Sequence, residues 1–542
     1  MSLNTERHRE LVFPATLPLS RRAALRLLGG AAIAGAAGGS WQSSAIARQE
    51  AEQPVHGGEI TYALSSDPPN LDPHIASGTA ARAVKLMVYN SLAQFEASGD
   101  MVPDLADSWE ISEDGLEYTY ALKSGVTFHD GTPLTAEDVK ATIERIQDES
   151  VGASRQVELL NINEITVVDD LTITFRLEQP NSALTEYFAL PETAIVSRAF
   201  LESGADLNTE MMGTGPFQLV SREPGVSTVM ERFGEYFDGD LPYLDRITFV
   251  PYPDENTRVL AIQGGEADVA DYIPWRDWEA LESDPNLKLA SGEYSAFMAV
   301  QYNVREAPFD DPNVRVALGY AFDRNAIAQA AFFGRASEIT GGVIPPTSWA
   351  YNQDLEGMVT YDPDRAQQML ADAGYADGFT VTLMSTSQYG MHQSTAEIVQ
   401  NNLQAIGIDC QLELYDWATV VQRHAAGDYQ FRIQGTAGDL PDPDWLTNFF
   451  GSGSPHEASA GFSDPQLDEL LAEGRTTLDQ EARKEIYLQV EQRLLELAPW
   501  NFLVYRQDAE AVKAEIQGYE HLPGLLGYFS GITLRKTWIE ES

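Results

Sequence analysis

The chain has 542 residues, 43% of them apolar and 22% charged, which is ample for a large core and excludes a disordered or collagen-like polymer. Its charge is lopsided: 35 Lys and Arg against 82 Asp and Glu give −47, a field that repels phosphate backbones and anionic lipid and so disfavours nucleic acid and membrane surfaces as partners. A single cysteine, Cys410, excludes an intramolecular disulfide.

Only seven of the basic residues are Lys, so Arg and the acids are expected to dominate the surface, as a solubility or salt adaptation. The N-terminus reads as a targeting segment over residues 1–47. Ser20-Arg21-Arg22-Ala23-Ala24-Leu25-Arg26 precedes a weakly apolar run to Gly39 and a small-x-small site, Ala45-Ile46-Ala47. The pattern resembles a twin-arginine export signal, with Ala24 where Phe is usual. Five glycines between 29 and 39 weaken it as a helix, and it is too short to span a bilayer. No cysteine follows it to carry a lipid, and no other long apolar run occurs. The exported chain is therefore expected to be soluble, periplasmic or otherwise extracytoplasmic.

Beyond the signal, residues 57–64 read as a strand ending at Ser65-Ser66-Asp67-Pro68-Pro69. Residues 116–122 and 126–128 read as a hairpin about Ser124-Gly125. Thr135-Ala136-Glu137-Asp138 opens a helix over 136–147 with a capping-box pattern. Residues 165–168 and 171–177 form a second predicted hairpin. Asp311-Pro312 starts a helix striped by Val314, Ala317, Leu318 and Ala321, Asp323 caps the next, and Gly334 ends it. A helix over 364–373 leads to a strand at 379–383, a helix near 393–406 and a strand at 408–415, a unit long enough for a parallel crossover. Cys410 lies in that last strand as a small buried hydrophobe. Residues 466–498 read as helix broken near Gly474, and the tail as mixed strand and turn. Helices and strands alternate throughout, which is an α/β protein.

Motifs for catalysis are missing. The eight His are scattered, and there is no His-Glu-x-x-His, no Gly-x-Ser-x-Gly and no phosphate loop. Gly213-Thr214-Gly215-Pro216 lacks a third glycine and an amide donor, which argues against a dinucleotide site. Asp439, Asp442 and Asp444 fall within six residues, but no bidentate Glu follows, so turn-forming acids are favoured over a calcium site.

Four stretches carry a family resemblance. They are Val102-Pro103-Asp104-Leu105-Ala106-Asp107-Ser108-Trp109 running on to Phe128-His129-Asp130-Gly131-Thr132-Pro133; Gly213-Thr214-Gly215-Pro216-Phe217; Pro308-Phe309-Asp310-Asp311 with Ala321-Phe322-Asp323-Arg324; and Leu370-Ala371-Asp372-Ala373-Gly374-Tyr375. In this order they resemble the extracytoplasmic solute-binding proteins of peptide-type ABC importers, the oligopeptide, dipeptide and nickel-binding family. The resemblance implies a two-lobed α/β clam-shell of periplasmic-binding-protein type II with an extra subdomain. Lobe I would comprise 48–90, 210–300 and 508–542, with 91–209 as the extra subdomain and 301–507 as lobe II. It implies a non-catalytic, monomeric receptor that captures a peptide or other amine-bearing solute and presents it to a permease with a separate ATPase subunit. No cofactor is implied. A nickel, haem or metallophore receptor on the same fold is the alternative, and an exported hydrolase a further one.

Peptide-binding relatives place an Asp in a Gly-Asp-x-x-Asp-Pro loop on the ligand's ammonium. Gly438-Asp439-Leu440-Pro441-Asp442-Pro443 matches, which makes Asp439 the expected ligand residue beside Gly438. An ammonium buried on closure needs such a charge. Thr436 stands where the family often has Trp. No Arg occurs in 388–395, where dipeptide binders hold a ligand carboxylate, which argues against a free dipeptide and favours a longer peptide, or a cationic or uncharged solute. Tyr389, Trp417, Trp349 and Trp445 are candidates to stack on the ligand.

Overall fold

A computed structural model describes residues 53–75 and 78–540; the predicted export signal lies outside the described residues. Two unusually long antiparallel strands, Leu287–Tyr302 and Trp500–Lys513, run through the middle of an eleven-stranded sheet. On one side the sheet continues through Phe431–Thr436, Thr380–Thr386 and Asp409–Tyr415. On the other it continues through Val269–Ala270, Glu59–Leu64, Arg246–Pro251, Ser227–Arg232 and Phe217–Glu223. The predicted crossover is parallel, Thr380 to Thr386 facing Asp409 to Tyr415 with the helix Gly390–Ala405 between them.

The two long strands do not pair continuously. Leu287 to Gly292 face Lys513 to Asp508, then the register slips, and pairing resumes with Ala296 opposite Arg506. Two extra residues are thus accommodated on one strand, and Tyr294 within them takes a left-handed conformation (φ 57°). A bulge of this kind bends the strand and increases its local twist.

A second, four-stranded antiparallel sheet has the order Ala106–Ile111, Glu117–Leu122, Thr172–Leu177, Ile162–Asp169. It buries Tyr118, Tyr120 and Phe175 against the helix Ala136–Gln147. That helix begins as predicted, with the Thr135 N–H donating to the Asp138 carboxylate at 2.9 Å. Asp311 and Asp323 likewise cap the helices Pro312–Ala321 and Arg324–Phe332.

Several expectations are corrected. Residues 126–128 do not pair with 116–122; Thr127 bridges antiparallel to Pro133, with the Phe128 N–H on the Thr132 carbonyl at 2.8 Å, while 117–122 takes 106–111 and 172–177 as neighbours. The break in the C-terminal helical stretch falls between Thr476 and Gln480, at an Asp479 cap. Gly474 lies inside a helix, where a Cβ would come within 2.9 Å of the Tyr487 ring. Gly334 (φ 79°) ends the helix Arg324–Phe332 as expected, but Phe333 ahead of it is left-handed as well (φ 53°). The tail carries a 3-10 segment, Gly524–Lys536. Eight arginines are buried among the described residues, so Arg is as much an interior as a surface residue here.

The signature stretches clasp one another. The Gly215 N–H donates to the Val88 carbonyl (2.8 Å), and the His129 backbone and ring reach the carbonyls of Gly213 and Gly215, both at 3.0 Å. Asp104 accepts from Asn90 and from the Ser91 N–H. A Cβ on Gly215 would lie 2.5 Å from the backbone of Val88, which cannot swing aside as a side chain could. Gly215→Ala is therefore expected to cost about 2–3 kcal/mol in urea unfolding, the usual penalty of overpacking; an unchanged midpoint would show the helix end to be pliable.

Glu491 is buried at the C-terminal half of the helix Gln480–Leu497, accepts the Ile344 N–H at 2.8 Å and has no cation within ion-pair reach among the described residues. Burial pushes its carboxyl up to about 8 from the ordinary 4.5. Below pH 4.5 it is protonated whether folded or not, and costs nothing. Above 8 the folded state holds an unmatched charge, so its stability falls as pH rises through that window. Glu491→Gln should match the parent at pH 5 and exceed it at pH 9 by roughly a few kcal/mol in urea unfolding. A constant difference between the two pH values would refute the assignment.

Candidate functional site

A cleft of about 550 Å³ opens where the two long strands meet the flanking elements. One wall comes from the Ser65–Pro69 turn and the first turn of the helix Thr79–Val88, which contributes Arg82. The opposite wall is the end of the strand Phe431–Thr436 running into Ala437, Gly438 and Asp439. Tyr272, Tyr389, His392 and Trp417 form an aromatic belt: Tyr389 meets Tyr272 at 6.2 Å and Trp417 at 5.5 Å, both edge-on, and His392 lies 5.6 Å from Trp417. Burial, then the positive charges of Arg506 and Arg432, push the His392 imidazole down to about 3, so the belt is uncharged.

The structure brings Asp439, Thr436, Gly438, Trp417 and Tyr389 to this one cleft. It does not bring the other two expected aromatics. Trp445 is buried (1% exposed), and its ring lies 2.7–2.8 Å from where a Gly438 Cβ would be, so it supports the loop from behind. Trp349 lines a separate hollow with Pro441 and Pro523, beneath the Arg483 guanidinium.

Asp439 is held by Arg155, whose other partner is Glu158 at 3.1 Å. Burial alone would lower the Arg155 guanidinium, but the Asp439 and Glu158 carboxylates reverse this and hold it well above its ordinary value. The second Asp439 oxygen, Oδ1, has no hydrogen-bond partner among the described residues. The neighbouring acids of the same loop are committed elsewhere. Asp442 is gripped by both Arg483 Nη atoms at 2.6 and 2.7 Å, and Asp444 by Arg475 and the Tyr187 hydroxyl. Among the described residues no group of three or more His, Cys, Asp or Glu side chains could hold a metal ion.

Two cations in the cleft were not foreseen. The Arg506 Nη atoms meet Asp508 at 2.6 Å and the Tyr528 hydroxyl at 2.9 Å, the guanidinium lies 5.4 Å from the Tyr272 ring centre, and its Nε has no partner among the described residues. Arg82 uses its Nε on Glu192 at 2.7 Å and lies 4.9 Å from the Phe529 ring centre. The absence of Arg from 388–395 therefore does not leave the cleft without cations. They come from a distant helix and from the second long strand, which no local motif reveals.

Residues 100–457 match the model of the bacterial extracellular solute-binding proteins, family 5. The chain belongs to that family. It is 32% identical over 475 residues to the glutathione-binding protein GsiB of Escherichia coli K12, covering 86% of this chain and 92% of the relative. Among solved structures, AgaA of A. tumefaciens R10 in complex with agropinic acid is 37% identical with a TM-score of 0.84, over 90% of this chain and 99% of that one. The Helicobacter pylori DppA, an ABC transporter-associated periplasmic binding protein in complex with the peptide STSA, is 25% identical with a TM-score of 0.81, over 90% and 99%. The family 5 fold is the two-lobed α/β fold expected from the sequence, and family 5 members are binding proteins rather than enzymes. No helix among the described residues is long and apolar enough to cross a membrane.

Proposed function

We propose that this family 5 protein captures, in the cleft just described, a solute carrying both an ammonium and a carboxylate, a peptide or an amino-acid conjugate, and delivers it to the permease of an ABC importer. The observation that carries this reading is the pairing of opposite charges in one cleft: an unpartnered Asp439 oxygen on one wall, and Arg82 and Arg506 on the other elements. A dry ammonium needs the first, and a carboxylate the second. Glutathione and the peptide STSA, named for two of the relatives above, carry both groups, and agropinic acid by its name carries the acid. Thr436, in place of a large aromatic, leaves room for a side arm on the solute.

The lobes are taken to divide at the bulge between Gly292 and Ala296 and at the facing Arg506–Asp508 stretch, a few residues before the 300–301 boundary read from sequence. Residues 91–209 form the extra subdomain. The exported chain acts as a monomer, with no cofactor, and its partners beyond the solute are the permease and its ATPase.

Two measurements test this. Native mass spectrometry of the chain expressed with its export signal, followed by release of the bound solute, should yield a peptide or amino-acid conjugate. A neutral sugar would overturn the charge argument, and a metal-bearing mass would support a metallophore receptor. With that solute in hand, Asp439→Ala should weaken binding by about 2–5 kcal/mol, a Kd roughly 30- to 5,000-fold higher by calorimetry. An unchanged Kd would remove Asp439 from the site.

A further inference from the structure

Arg432 is buried (3% exposed) in the strand Phe431–Thr436, and in a chain with 82 acids it has no carboxylate partner among the described residues. Its side chain makes no hydrogen bond and no ion pair among them, and its Nε is buried without an acceptor. A guanidinium cannot escape this by losing its proton, as a buried Glu or Lys can.

Its surroundings are polar and electrically neutral. Gln301 sits directly across the strand pair from Arg432, and Gln434 lies two residues on, on the same face. The Oε1 atoms of both are buried without partners among the described residues. His424 and His456, with rings 5.6 Å apart, approach Arg432 from two helices; burial, then the charge of Arg432, pushes them down to about 2 and about 3, so neither adds charge. His424 shares a hydrogen bond with Ser459 at 3.1 Å. This polar cluster backs onto the cleft, because Thr436 of the same strand face and Phe449, stacked on His456 at 5.1 Å, both line that cleft.

We propose that Arg432 is an anion site, receiving one small monovalent anion, a halide or a carboxylate, with the Gln301 and Gln434 amides turned to donate to it. An amide whose oxygen is unbonded can turn over at little cost. Gln301, whose Nε2 meets His456 Nδ1 at 3.3 Å, keeps that contact by accepting from the other tautomer of the ring. The anion has two sources open to it, a free halide or a carboxylate arm of the captured solute; the second rests on the solute-binding reading above, and the first does not.

The test uses the full exported chain stripped of solute, in sulfate buffer at constant ionic strength. Sodium bromide should raise Tm by a few degrees, saturably, and sodium acetate should do the same if carboxylate fits. Arg432→Gln should abolish the response. Crystals of the parent protein grown with bromide should show an anomalous peak within hydrogen-bond reach of the Arg432 guanidinium, a readout that does not depend on the variant folding. Loss of the bromide response in solute-loaded protein would assign the site to the solute's carboxylate, and its persistence to a free halide. If neither anion gives a saturable shift and no peak appears at Arg432, the proposal is overturned, whatever solute the cleft takes.

Discussion

The loop from Asp439 to Asp444 can exist only because three arginines from three separate elements meet it. Three carboxylates within six residues would repel each other in a dry interior. Arg155, Arg483 and Arg475 neutralise them one by one, and Asp442 and Asp444 are almost completely enclosed as a result. Such pairs add little net stability, since the desolvation of both ions offsets most of their attraction. What they supply is geometry. Each pair ties the loop to a different place: Arg155 and Tyr187 belong to the segment 91–209, Arg475 and Arg483 to the C-terminal helices. With Oδ2 of Asp439 fixed by Arg155, Oδ1 is presented in a set direction. The cleft wall is thus held by charge pairs buried behind it.

The same logic explains why arginine outnumbers lysine so heavily. Arg258 donates to the carbonyls of Tyr252, Asp271 and Tyr272; Arg315 to those of Phe309, Leu497 and Ala498; Arg324 to those of Gly319, Phe322 and Phe502. A planar fork with five donors can gather carbonyls from several chain segments at once, which an ammonium on a flexible stem does poorly. The surface is left to the acids. The net charge follows from how few basic residues there are, and the burial of eight of the arginines makes the surface more acidic still.

Much of this was legible in the sequence. Caps at Asp311 and Asp323, the parallel crossover after Thr380 and the loop carrying Asp439 are local patterns, set by residues a few positions apart. The family motifs were legible as structure too, though not the reason for them, which is that His129 and Gly215 touch across 86 residues of chain. The failures share a cause. Trp349 and Trp445 have the composition of ligand walls, but which face of a loop an aromatic takes is decided by what packs behind it. Arg82 and Arg506 are ordinary residues in sequence and become cleft residues only when a helix and a strand over 400 positions apart converge. The hairpin expected about Ser124-Gly125 is replaced by a bridge from Thr127 to Pro133 about the next turn, because 117–122 finds longer partners in 106–111 and 172–177.

On the proposed division of the lobes, Arg506 would connect capture to movement. It stands opposite Ala296, where the two long strands resume their pairing after the slip, and it faces the cleft. A carboxylate that settles on it would then be bound at the proposed joint rather than on either side of it. Moving a two-state equilibrium from 1:99 to 99:1 takes about 5.5 kcal/mol of differential affinity. A single desolvated charge pair is worth roughly 2–5 kcal/mol when its partner is removed. One contact of this kind falls below the requirement, and two on opposite walls, together about 4–10 kcal/mol, span it. A solute with both charges would close the protein where a solute with one would merely occupy it, so selectivity for zwitterions would follow from the energetics of closure itself.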